Sequence, residues 1–107
     1  MEYVNGVSYW NGDANYPFWS TDRYGDVFDR HSAYVVENTS EKATVRILSH
    51  TIRYESSSII ADDVVTIDYD KVQGQCYLTS GNMSHKQVSG QSTLKVCRLI
   101  LSDQGIY

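Results

Sequence analysis

Three stretches of this chain carry side chains able to do chemistry. The first is His50-Thr51-Ile52-Arg53-Tyr54-Glu55. A histidine and a glutamate can act as acid and base while an arginine steadies a phosphate, a combination that cleaves RNA by phosphoryl transfer. His85 is a second histidine able to join them. Along one strand, however, His50 points away from both Arg53 and Glu55. The trio works only if a bulge re-aims one member. A solvated strand face with cross-strand ion pairs is the simpler account.

The second set is carboxylates. Asp68 and Asp70 fall on one face of a strand, near enough to share a cation. Asn11-Gly12-Asp13-Ala14-Asn15 spaces oxygen ligands as calcium loops do, but lacks the following Gly and the distal Glu. Asn and Asp ordinarily cap turns with their own side chains. Calcium at Asp68, Asp70 or Asp13 is thus the one cofactor weighed, and the expectation is none.

The third set is the cysteine pair, Cys76 and Cys97. Neither spacing nor neighbouring histidines match a zinc site. Both read as inward strand positions, so a disulfide is expected. It would close a loop of roughly twenty residues and add about 3 kcal/mol in the chain-entropy account.

Recognition has a different signature. Residues 1–30 hold eight aromatics, among them Trp10, Tyr16, Phe18, Trp19 and Tyr24, set between turn formers such as Asn5-Gly6 and Asn11-Gly12. Tyr and Trp offer large contact area at low entropic cost. These five are the candidate binding residues, for a target protein or a glycan. The competing reading is a small core closing one end of the fold.

The elements that must hold these residues read as strands. Tyr, Thr, Ser and Val are plentiful and Ala, Leu and Glu few. Tyr3 to Tyr9 reads as a hairpin around Asn5-Gly6. Ser32–Glu37 and Ala43–Tyr54 flank a polar turn. In the second of these, Ala43, Val45 and Ile47 share a face, and then Ile52 and Tyr54 take over. A bulge or bend near Leu48-Ser49-His50 would explain the change of phase. Ile59-Ile60 reads as a crossover between sheets. Strands follow around Val65–Tyr69, Val72–Leu78 and Thr93–Leu101, the last apolar on both faces. Residues 102–107 read as a weakly ordered tail.

The expectation is one domain over residues 1–107: an all-β, small antiparallel β-sandwich or closed barrel of about 6–8 strands with essentially no helix. Residues 1–30 form its aromatic segment and 31–101 its main strands. The layout resembles small secreted β-sandwich groups, including fungal effectors and lectin-like or pore-forming modules, but none of their diagnostic motifs is present and no site residue is carried over.

The net charge of -4 disfavours nucleic acid as a partner. No apolar run is long enough for a membrane span. Asn38-Thr39-Ser40 and Asn82-Met83-Ser84 have the form of glycosylation acceptors. With the expected disulfide they favour a secreted, effector- or toxin-like binding module. The alternatives are a cytoplasmic acidic inhibitor, of the immunity or phage-antagonist kind, and a small secreted ribonuclease or hydrolase. The chain is expected to be a monomer or an edge-strand dimer.

Overall fold

The computed structural model describes residues 2–4 and 6–107, with side chains from Gly6 onward. The chain is mostly β, 48% strand against 19% helix, as its composition predicts. Two short strands, β1 (Glu2–Val4) and β2 (Val7–Tyr9), pair antiparallel with Val4 opposite Val7. This is the expected hairpin; Asn5 lies outside the described residues, and Gly6 takes a φ of +79° that its missing Cβ permits. The main sheet runs β3 (Phe18–Thr21), β4 (Gly25–Phe28), β6 (Lys42–Arg53), β7 (Ser58–Asp70), β8 (Gln75–Thr79) and β9 (Lys86–Gln87). β5 (Tyr34–Asn38) pairs with β6 on the edge that β4 also uses. β4 takes Ser49–Ile52 of that edge and β5 takes Ala43–Arg46.

The sheet curls into a half-barrel. The expected sandwich or closed barrel does not form. A helix, α1 (Gln91–Asp103), packs against the sheet instead, which corrects both the expectation of no helix and the strand expected at Thr93–Leu101. Its buried residues are Val96, Cys97, Ile100 and Leu101. That spacing is one stripe of a helix, whereas in a strand it spreads over both faces. Gly105 stops the helix with a φ of +73°. The Ile106 N–H bonds the Leu101 carbonyl at 2.9 Å and the Gly105 N–H that of Ser102 at 3.0 Å, a Schellman ending. The supposed tail is therefore ordered: Ile106 packs on the core and Tyr107 lies 5.9 Å from the Tyr69 ring.

The change of phase along β6 has a different cause from a bulge at Leu48–His50. Pairing with β4 runs without interruption, Phe28 opposite Ser49, Val27 opposite His50 and Gly25 opposite Ile52. Alternation therefore persists, and Ile52 falls on the face opposite to Ala43, Val45 and Ile47. The sheet buries both faces, in different places. Phe28, Val45, Ile47, Val65, Ile67 and the α1 stripe form the main core on the concave side. Phe18, Val27 and Ile52 form a second cluster, covered by Trp10 and Tyr16. A register shift does occur beside Thr51/Ile52, but the extra residue is Ile60 on β7. Ile59-Ile60 is thus no crossover; it belongs to a 13-residue strand.

Candidate functional site

The aromatic segment is divided between the two faces. Consecutive residues of β3 point oppositely. Phe18 joins the second cluster, while Trp19 stacks on Phe28, ring centroids 5.2 Å apart and planes 13° from parallel. The Trp19 indole N–H donates to Ser49 Oγ at 2.9 Å, and Ser49 Oγ donates onward to the Val27 carbonyl at 3.2 Å. Trp10 and Tyr16 meet edge-to-face, centroids 5.4 Å apart. Tyr24 is exposed, with the Arg23 guanidinium 5.8 Å from its ring centre. Four of the five candidate residues thus pack against other parts of the fold and Tyr24 is exposed; Trp19 lines two clefts, and Trp10 and Phe18 border a further open space.

That open space is a cleft of about 550 Å³ lined by Tyr9, Trp10, Asn11, Gly12, Phe18, Ile52, Tyr54 and Ser57. Its volume falls within the usual range of small-ligand sites. None of its lining residues is charged. Each of four other clefts among the described residues contains a charged side chain: Lys86, Asp22, Asp68 with Asp70, or Arg30 with Asp103. One wall of the neutral cleft comes from a 3-10 turn at Trp10–Gly12, the other from the connection between β6 and β7. A hydrogen-bonded chain ties them. Trp10 Nε1 donates to Ser57 Oγ at 2.9 Å, and Ser57 Oγ donates to Asn11 Oδ1 at 3.1 Å. Asn11 (φ +55°) and Ser57 (φ +51°) both sit in the left-handed region, where a side chain is strained. Tyr54, 41% exposed, projects at the cleft beside Phe18, centroids 6.4 Å apart.

Tyr54 and Ser57 were not among the expected site residues, and Asn11 entered only through the calcium-like spacing of residues 11–15. Their signal was the turn chemistry of Asn11-Gly12 and the Ser56-Ser57-Ser58 run. Neither reveals that the two turns, some 40 residues apart in the chain, meet.

The structure does not assemble the expected acid–base trio. His50 Nδ1 lies 2.5 Å from Asp62 Oδ1 across the β6–β7 ladder, on the convex face. Arg53 is on the opposite strand face and Glu55 is in the following turn. His85 stacks on Tyr77, centroids 4.5 Å apart, with Nδ1 3.6 Å from Asp68 Oδ2. Asp62 and Asp68 are six residues apart on β7, roughly 20 Å. The two His–Asp pairs therefore cannot act on one reacting atom. Each histidine instead meets one carboxylate of β7.

The carboxylates are likewise engaged. Asp68 Oδ1 accepts from Thr44 Oγ1 at 2.7 Å, and Asp70 Oδ1 accepts the amides of Val72 (2.9 Å) and Gln73 (3.0 Å). Asp13 Oδ1 accepts the Asn15 amide at 2.9 Å, a turn cap. Among the described residues no group of three or more His, Cys, Asp or Glu is placed to hold a metal ion.

Cys76 on β8 and Cys97 on α1 are both buried in the main core, with no bond drawn between them. Burial pushes both thiols up; for Cys97 the nearby Cys76 adds to this, and for Cys76 Arg98 opposes it. No helix among the described residues is long and apolar enough to cross a membrane. Comparison with models of known protein families, with curated proteins and with solved structures finds no match to this chain.

Proposed function

We propose that the protein is a non-catalytic binding module that takes a neutral glycan residue in the Trp10–Tyr54 cleft. The observation that carries this is the lining: four aromatic rings and Ile52, with one amide and one serine hydroxyl as the other polar side chains and no charge, in a chain of net charge -4. The negative faces of Trp and Tyr rings attract the polarised C–H groups of a sugar ring. Asn11 and Ser57 supply hydrogen-bonding groups at the rim. Their left-handed backbones keep those groups at the cleft mouth, at a cost in strain of the kind that accumulates at binding sites. An anionic ligand would find no cation in the cleft, and a basic one no carboxylate.

The test is a screen of neutral and charged oligosaccharides against the protein and its Tyr54→Ala variant. Tyr54 is partly exposed, so its loss should leave the fold intact by circular dichroism. Saturable binding of a neutral sugar, weakened about tenfold or more in the variant, is the expected result. Binding that Tyr54→Ala leaves unchanged, or no binding of any neutral sugar, sinks the proposal.

A further inference from the structure

We propose that the sugar taken in the neutral cleft is an N-acetylated one, its acetamido carbonyl accepting from Asn11 Nδ2; this rests on the glycan reading of the cleft. The hydrogen-bonded chain at the cleft mouth has a fixed direction. An indole N–H only donates, so the Ser57 oxygen accepts at its 2.9 Å contact with Trp10 Nε1. The single Ser57 proton is then passed to Asn11 at 3.1 Å, and the atom that receives it must be the amide oxygen, Oδ1. The Asn11 amide is thereby oriented, with Oδ1 turned to Ser57 and Nδ2 turned away. Among the described residues Nδ2 has no hydrogen-bond partner. Asn11 is exposed and lines the cleft. The rim therefore offers the two N–H groups of one amide and calls for an acceptor on the ligand.

A carbonyl oxygen only accepts and is satisfied by donors alone. A hydroxyl brings a proton of its own, and the Asn11 oxygen that could take it is already engaged by Ser57. The acetamido group is the carbonyl that a neutral sugar carries. Its methyl adds apolar area to set against four aromatic rings and Ile52. A carboxylate also only accepts, but its charge would enter a cleft with no cation in a chain of net charge -4. A free amino sugar is a cation that only donates, and it would meet Asn11 donor against donor.

The test compares, by isothermal titration, a trimer of N-acetylglucosamine with the glucose trimer of the same linkage. The two differ in one substituent on each ring, acetamido against hydroxyl. The protein should bind the acetylated trimer about tenfold more tightly. Asn11→Asp places a residue tolerated at a φ of +55° and keeps an oxygen for the Ser57 proton, but sets a carboxylate oxygen where Nδ2 stood. It should lose the preference. Ser57→Gly suits a φ of +51° and removes the hydroxyl that orients the amide. It should weaken binding of the acetylated trimer and narrow the preference. Equal binding of the two trimers, tighter binding of the glucose trimer, or a preference that survives Asn11→Asp overturns the assignment and leaves the neutral-sugar cleft standing. Binding of neither trimer overturns it too, and the wider oligosaccharide screen then shows whether the neutral-sugar reading falls with it.

Discussion

The Asp63 carboxylate on β7 accepts the backbone N–H of Gly81 at 2.9 Å through Oδ2, and through Oδ1 that of its own neighbour Val64 at 2.8 Å. One side chain thereby fastens the loop after β8 to the central ribbon and occupies an amide that would otherwise invite another strand. Replacing Asp63 by Ala leaves both amides to water. The expected outcome is a loss of about 1 kcal/mol, faster hydrogen exchange at Val64 and Gly81, and a greater tendency to associate through β7. Urea unfolding and amide exchange measure the first two. Unchanged exchange at Gly81 would show that the loop is held by other contacts.

Trp19 should behave as part of the core. Its ring stacks on Phe28, its N–H reaches Ser49, and its carbonyl accepts from Thr93 Oγ1 at 2.7 Å, linking β3 to the first turn of α1. Trp19→Phe keeps a ring but loses the hydrogen bond, at a cost of about 1 kcal/mol. Trp19→Ala should cost about 3 kcal/mol. Thermal or denaturant melts decide the matter. A variant with alanine here and an unshifted melting temperature would assign Trp19 to recognition and not to packing.

Asp26 sets a pH dependence. It sits on β4 opposite Thr51, and burial raises its pKa from 3.8, opposed by the hydrogen bond from Thr51 Oγ1 at 2.8 Å. A carboxylate whose folded-state pKa is raised favours folding while it is protonated. Its contribution is fully present below pH 3.8 and is lost as pH rises through the higher folded value. Asp26→Asn removes the burden of an ionised group in that position. The variant should melt above the parent at neutral pH, and the gap should close in acid. A gap that widens as pH falls contradicts this account.

Much of the sheet was legible. Tyr34–Val36 is rich in strand formers and Ala43–Ile47 alternates after a polar turn, and they do fall in β5 and β6. Two kinds of information were not local. Thr93–Leu101 is apolar at positions that a strand spreads over two faces and a helix gathers into one stripe, so the run alone does not decide between them. The deciding signal was Gly105, placed where a helix needs a left-handed residue to stop. Ile52 broke the pattern of β6 because a second cluster lies on the far side of the sheet, and its cover comes from Trp10 and Tyr16, more than thirty residues earlier. The neutral cleft escapes notice for the same reason. Trp10 and Tyr54 are ordinary exposed-strand and turn aromatics until the fold brings their turns together.

The cysteines give a prediction that also bears on compartment. Cys76 is 1% exposed and Cys97 0%. Burial raises both thiols above their ordinary value of 9.0, so neither is a thiolate at neutral pH. A thiol reagent should label neither residue in the folded protein at pH 7, and both in denaturant without added reductant. The unfolded chain would then display two reactive groups. A chain that is unlabelled in denaturant until reductant is added carries the bond between β8 and α1, and belongs in an oxidising environment. Cys97→Ala separates packing from bonding. As a free buried thiol, Cys97 acts as a small hydrophobe, and its loss should cost about 1 kcal/mol by the methylene rule. If it is bonded, removing it should cost about 3 kcal/mol and leave Cys76 as a single titratable thiol after unfolding.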